Sequence, residues 1–386
     1  MCMGEMGGSQ SLPELAQEQS IHVVVIGGGY GGTTCALALK KHGIPYTLVE
    51  PKEYFHHNVG ALRAAVDKGF IPRTAIPLKD SFQDQFVQEK VTDINFEGRT
   101  LTLESGKSLE YSHLVIATGS SGPFPGRTET RTIQDLADAY ETIGNEIEKA
   151  ESVVLIGGGA VGVELAGEIR SKYKFKKITL IHSGEQLFNS ARGAAMDDRT
   201  RDAALAMLKA MDVDVVLGER VSNLEGLTLY RNMSQTVKTD QEKVVNADLI
   251  LSCTGLKADL SLKSNYPEGT LDNENRLKVN AQTMEVEGLS NVFGIGDCAN
   301  VPQEKMAAHA GDQGELVVKN LIASLKGSSL SEYKPRFEGM FVTVGPGGGV
   351  ALFNGWHIPS FLVGLAKSKD LFTKRYWTMF GQREPV

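Results

Sequence analysis

Ile21-His22-Val23-Val24-Val25-Ile26-Gly27-Gly28-Gly29-Tyr30-Gly31-Gly32 decides how this chain folds. Five of its first six residues are β-branched, a run without apolar–polar alternation that suits a parallel strand covered on both faces. The glycines at 27, 29 and 32 then spell G-x-G-x-x-G directly before Thr33–Leu39, which reads as a helix. Gly27 permits the tight turn, Gly29 lets a pyrophosphate approach the backbone, and Gly32 lets strand and helix pack closely. The phosphates would rest on the N–H groups at the positive end of that helix. A second strand, Tyr46–Val49, ends in Glu50, 18 residues after Gly32. A carboxylate there accepts hydrogen bonds from ribose hydroxyls and repels a 2′-phosphate.

The rest of the chain repeats the pattern. Ser152–Ile156 followed by Gly157-Gly158-Gly159-Ala160-Val161-Gly162 is a second strand and glycine loop, opening a helix at Val163–Ile169. Ile178–Ile181 is its acid-position strand, ending in His182-Ser183 rather than Asp or Glu. Each half closes on a strand ending in Thr-Gly, Leu114–Gly119 in the first and Leu249–Gly255 in the second. Two glycine loops imply two dinucleotide sites in one chain, which is far more specific than one loop. Between the halves, 87–119 carries short alternating segments that read as an antiparallel meander, and Gly122-Pro123-Phe124-Pro125-Gly126 reads as a linker.

A chain of 386 residues is long enough for two or three domains. Its 41% hydrophobic and 23% charged residues describe a globular protein, and a net charge of −7 argues against bulk or specific nucleic-acid binding. Cys2, Cys35, Cys253 and Cys298 are scattered without a C-x-x-C pair, which points to a reducing compartment and removes a dithiol relay from the available mechanisms. No long apolar run predicts a transmembrane helix, and residues 1–20 lack the apolar core of a secretory signal. Met6-Gly7-Gly8-Ser9-Gln10-Ser11 fits an N-myristoylation pattern if translation starts at Met6.

The duplicated loops, with Asn291-Val292-Phe293-Gly294-Ile295-Gly296-Asp297 as a late strand ending in Gly-Asp, resemble the pyridine nucleotide–disulfide oxidoreductase superfamily over roughly residues 20–325. Phe55-His56-His57-Asn58-Val59, Ala117–Gly126, Leu180–Ser183, Arg220–Glu225 and Lys367–Phe372 further resemble the membrane-associated branch of the apoptosis-inducing-factor family. The resemblance implies an α/β protein with two Rossmann-like dinucleotide-binding domains. These are a discontinuous FAD-binding domain (20–126 and 256–330) and an NAD(P)H-binding domain (127–255). A small α+β C-terminal domain facing quinone and membrane (331–386) and a flexible N-terminal segment (1–19) complete it.

It also implies an FAD-dependent NAD(P)H:quinone oxidoreductase acting on ubiquinone or vitamin K. Its quinols would trap radicals and so suppress lipid peroxidation and ferroptosis. The expected setting is the cytosol and the cytoplasmic face of membranes, on lipid droplets, the plasma membrane and the mitochondrial outer membrane. Homodimerisation is left open.

Carried onto this sequence, the cofactor contacts of the first half are Gly27, Gly28, Gly29, Tyr30, Gly31, Gly32, Glu50, Lys52, His57, Val91, Ala117, Thr118 and Gly119. Gly296 and Asp297 meet the ribityl and phosphate region, and Lys305, Met306 and Ala307 open a helix aimed at the flavin. The second half supplies Gly157, Gly159, Ala160, Val161, Gly162, Glu164, His182, Ser183, Thr254 and Gly255.

Glu164, just inside the second helix, is the candidate for orienting the nicotinamide or moving protons. His57 is the candidate proton donor, and Lys367 a cation near reduced flavin or quinone. No metal site is expected, because adjacent histidines point apart and no thiol or carboxylate cluster joins them. With no acid at His182-Ser183, and with Lys172, Lys174, Lys176 and Lys177 near in sequence, both NADH and NADPH are expected to serve. Residues 331–386 mix aromatic and basic residues in a way that suits a surface admitting a long-tailed quinone from a membrane. Two alternatives stand beside this reading, a reductase of a small iron–sulfur protein and a nucleotide-sensing apoptotic effector.

Overall fold

The computed structural model describes residues 11–189, 196–259 and 261–385. The described residues gather into two compact units. The first takes those up to Glu53, Leu78–Ser120 and Ala258–Arg336, and the second those of Tyr54–Pro77, Ser121–Lys257 and Phe337–Val386. The myristoylation pattern at Met6 begins outside the described residues.

In the first unit a five-stranded parallel sheet runs in the order Val292–Gly294, His113–Ile116, Val23–Ile26, Tyr46–Val49, Phe86–Val87. Val23–Ile26 is buried throughout, as its unbroken β-branched run requires. The helix after it starts at Tyr30 rather than Thr33, so Gly31 and Gly32 lie within its first turn. It ends on Gly43, whose φ of 66° supplies the left-handed stop that glycine makes cheaply. The long helix Ala307–Leu325 packs against it, and the meander is Val91–Asn95, Thr100–Leu103 and Ser108–Glu110.

The second unit repeats the parallel sheet with four strands ordered Val213–Val216, Lys177–Ile181, Ser152–Ile156, Leu249–Ser252. Its nucleotide helix is Ala160–Lys172, flanked by Ile133–Lys149 and Asp198–Ala210. Gly167 on that helix has no room for a Cβ, because Val344 and Gly345 press against it. Those residues join two strands of a three-stranded antiparallel sheet, Gly339–Thr343, Gly349–Phe353 and Trp356–Ile358.

The C-terminal stretch, expected as a separate small domain over 331–386, therefore packs into the second unit from Phe337 onward. So does the loop carrying His57, expected with the first half. The physical reason lies in what these segments bury. Phe55 lies against Tyr376 and Phe380 with ring centroids 5.6 and 5.0 Å apart, and Trp377 Nε1–H donates to the Arg73 carbonyl at 3.0 Å. No helix among the described residues is long and apolar enough to cross a membrane.

Because Trp377 fills a closed site and also satisfies a carbonyl, Trp377→Ala is expected to cost about 3–5 kcal/mol. Denaturant unfolding monitored on the second unit measures this, and a loss below about 1 kcal/mol would contradict the packing described.

Candidate active site

The two glycine loops are built alike. An ideal Cβ on Gly32 would collide with the Gly27 carbonyl oxygen, and one on Gly162 with that of Gly157. Gly27 and Gly157 have φ of 108° and 118°, a region that side chains disfavour. Beside Gly29 and Gly159, in contrast, lies open space. Each loop thus closes tightly at its ends and leaves room at its middle, where a pyrophosphate would meet the first-turn N–H groups.

Glu50 completes the first loop. Its Oε2 accepts from the Gly28 N–H at 2.6 Å, and its Oε1 accepts from the Lys52 N–H at 3.0 Å and from Lys52 Nζ at 2.7 Å. A carboxylate offers about four lone-pair sites, so capacity remains for ribose hydroxyls. Asp297 lies in the turn Gly296–Cys298, where its Oδ2 accepts from the Ser120 hydroxyl at 2.6 Å. Gly296 N–H donates to Gln313 Oε1 at 2.7 Å, a contact with no signal in sequence spacing. Lys305 braces the loop before the helix by donating to the Ala299 and Val301 carbonyls at 2.7 and 3.0 Å, and Met306 stands at the residue before that helix without a side-chain capping bond. Thr118 and Gly119 follow the strand His113–Ile116, and Val91 is buried at the start of the meander. These residues suit FAD: an open cradle at a helix start, a carboxylate at the ribose position, and a second carboxylate beyond it.

In the second unit His182 takes the place of Glu50. An ideal Cβ on Gly28 would lie 2.7 Å from Glu50 Cγ, and one on Gly158 lies 2.7 Å from His182 Cγ. A cleft of about 640 Å³ opens at this end, lined by Gly157, His182, Ser183, Arg220, Asn223 and Thr254 among others. It suits the adenosine end of a pyridine nucleotide. Lys176 and Lys177 are not placed to read a 2′-phosphate there. Lys177 pairs with Ser152 at the opposite end of the sheet from Ile181, roughly 13 Å of strand away. Lys176 is spent on the Glu148 and Ala150 carbonyls at 2.8 and 2.5 Å. Among the described residues, Arg220 is a cation that lines the cleft at this end.

Two of the candidate catalytic residues meet directly. Lys367 Nζ donates to Glu164 Oε1 at 2.6 Å and to the Phe341 carbonyl at 2.9 Å, and the Thr343 N–H donates to the same Glu164 oxygen at 3.0 Å. Both side chains are 10% exposed. A buried carboxylate is tolerable here because it is both paired and hydrogen-bonded. Lys367 reaches it from a five-residue π-helical turn, Gly364–Ser368, an uncommon geometry that recurs at functional sites. His57 feels the Lys367 charge, which adds to the effect of burial. It is fully buried, its Nε2–H donates to the Leu371 carbonyl at 2.7 Å, and burial pushes its pKa down to about 4. It therefore stands neutral near pH 7. Among the described residues no cluster of three or more His, Cys, Asp or Glu side chains could hold a metal ion, and the three described cysteines are buried and free.

A model of the pyridine nucleotide-disulphide oxidoreductases matches residues 21–314. The chain belongs to that family. Curated relatives include the ferroptosis suppressor protein 1 of Xenopus tropicalis, 40% identical over 96% of this chain and 99% of that one. The human protein of that name is 38% identical over 95% and 97%, and apoptosis-inducing factor homolog B of Dictyostelium discoideum 31% identical over 94% and 98%. Among solved structures, the sulfide:quinone oxidoreductase of Aquifex aeolicus superposes with a TM-score of 0.74 at 19% identity, over 95% of this chain and 93% of that one. NDH2 from Plasmodium falciparum in complex with NADH does so at 0.69 and 14% identity, over 95% and 100%. This chain is an FAD-dependent oxidoreductase that uses NAD(P)H, on the two-nucleotide fold expected of it.

The depressed pKa of His57 fixes the sign of a pH effect. Between about pH 6.5 and 4 the unfolded chain binds the proton and the folded one does not, so stability falls as pH drops through this window. His57→Gln should remove about 2 kcal/mol of the destabilisation seen between pH 7 and pH 5. Parallel unfolding curves at the two pH values check this; an unchanged pH dependence in the variant would contradict it.

Proposed function

We propose that this protein is an NAD(P)H:quinone oxidoreductase working at a membrane surface, whose quinol products suppress lipid peroxidation and ferroptosis. One observation carries the reading. Phe361 and Leu365 stand 65% and 70% exposed on the short helical stretch that delivers Lys367 into burial against Glu164. Trp356 adds a further exposed ring at 76%. An apolar lip beside a buried ammonium suits an acceptor with a hydrocarbon tail and electronegative oxygens, such as ubiquinone or vitamin K. The ferroptosis suppressor relatives support the same assignment.

FAD held on the first loop supplies two-electron chemistry between NAD(P)H on the second loop and the acceptor. The chain's own residues do the rest. The glycine loops and Glu50 fix the nucleotides, and Glu164 keeps the Lys367 ammonium in one place. Lys367 offers a positive charge and a proton where the acceptor gains negative charge, in surroundings where such a charge counts for more than in water. His57 is assigned to holding the backbone at Leu371. The strand ends in His182 and Ser183 rather than an acid, and Arg220 lines the cleft beside Glu219 and Glu225, a mixed charge that supports either nucleotide serving.

Anaerobic assays of the FAD-loaded protein with a soluble ubiquinone analogue test this. Quinol should form with NADH and NADPH, their kcat/KM values within about a thousandfold; failure to reduce quinone while reducing an iron–sulfur protein would overturn the reading. For the membrane, replacing Trp356, Phe361 and Leu365 together by Ser should abolish flotation with liposomes and slow turnover of a long-tailed quinone held in them. Turnover of the water-soluble analogue should stay near wild type. Unchanged flotation would remove membrane contact from the proposal.

A further inference from the structure

We propose that Arg63 is a positioning residue that sets the Lys367 ammonium by fixing the backbone carrying it. This rests on reading Lys367 as the acceptor-side cation. Arg63 sits on the short helix Ala61–Ala64, far in sequence from either nucleotide loop, and is 7% exposed. Its guanidinium is divided between two tasks. Nε and Nη2 donate to the Glu168 carboxylate at 3.2 and 2.8 Å, and Nη1 donates to the Ser368 carbonyl at 2.6 Å.

Glu168 lies one turn beyond Glu164, so the two carboxylates share one face of the helix Ala160–Lys172. That face therefore grips the C-terminal stretch twice. Glu164 takes the Lys367 side chain, and Glu168, through Arg63, takes the carbonyl of the next residue. A third hold follows. Leu371 N–H bonds back to the Lys367 carbonyl at 2.8 Å, and His57 donates to the Leu371 carbonyl at 2.7 Å.

The stretch needs such holding. Ser368 closes a π-helical turn, and Leu371 and Phe372 stand at φ of 51° and 64°, a left-handed conformation that bulky residues keep only where their surroundings over-determine it. Arg63 suits the task because its planar fork can serve a carboxylate and a carbonyl at once. A lysine in its place carries its donors on one nitrogen, so it cannot keep the fork's multi-point grip on Glu168 while a separate nitrogen holds the Ser368 carbonyl.

Arg63→Lys, which keeps the buried charge, is the primary test, with the paired Arg63→Gln/Glu168→Gln variant, which removes both charges, as the second. In FAD-loaded protein each should cut kcat with a soluble quinone about tenfold or more. KM for NADH and the rate of flavin bleaching by NADH, read separately in single turnover, should stay within about twofold of wild type. In a Lys367→Gln background, itself slow with quinone, either change should cost no further turnover, because residues acting as one unit are not additive. Two results would overturn the proposal with Lys367 left intact in its role: unchanged kcat in Arg63→Lys, or a tenfold loss that multiplies with that of Lys367→Gln. If Lys367→Gln reduces quinone at the wild-type rate, the reading of Lys367 fails and this proposal falls with it.

Discussion

Everything in this molecule depends on a backbone oxygen touching a residue without a side chain. Gly32 lies against the Gly27 carbonyl and Gly162 against that of Gly157, in the same geometry. This contact brings the first turn of each helix onto the end of its strand and aims that turn's N–H groups at one point. A methyl group in either place would push helix from strand and spoil the cradle. Burial of Val23–Ile26 and Val153–Ile156 between covered faces makes the strand ends rigid enough for so close a fit.

The second constraint is electrostatic. The helix Ala160–Lys172 buries Glu164 and Glu168 on the face where the C-terminal stretch packs, and a buried carboxylate persists only with a partner. Burial raises the Glu168 pKa, and the hydrogen bonds from Arg63 oppose that rise. The need to satisfy these two acids draws Lys367 and Ser368 to the nucleotide helix. Fold and candidate chemistry thus share one set of contacts within the second unit.

Most of the scaffold was legible in the sequence because the signals are local. β-branched runs, glycine spacing and the distance from Gly32 to Glu50 each concern neighbours within a few dozen residues. The strands that carry both loops and the meander follow from them, whereas the edge strands Phe86–Val87 and Val213–Val216 gave no such signal. The helix start at Tyr30 was missed because glycines read as turn, whereas the close approach at Gly32 needs glycine inside the helix. Glu164 and Lys367 were singled out separately, but their contact spans 203 residues and no periodicity announces it. Arg63 with Glu168, 105 residues apart, was not legible at all. Lys177 misled in the opposite sense, since closeness in sequence to Ser183 hid its place at the far end of a strand. His57 showed its ring in the sequence but not its burial, which sets its charge.

The central claim is that one hydride, carrying two electrons, passes from the nicotinamide nucleotide to the flavin without a thiol relay, the described cysteines being buried and free. Anaerobic titration of the FAD-loaded protein with NADH, followed in the flavin visible band, tests it most directly. One equivalent of NADH per chain should bleach the band completely and no second equivalent should be consumed. A chain that takes up no flavin, or one that consumes two equivalents as a flavin with a redox-active dithiol would, contradicts the account.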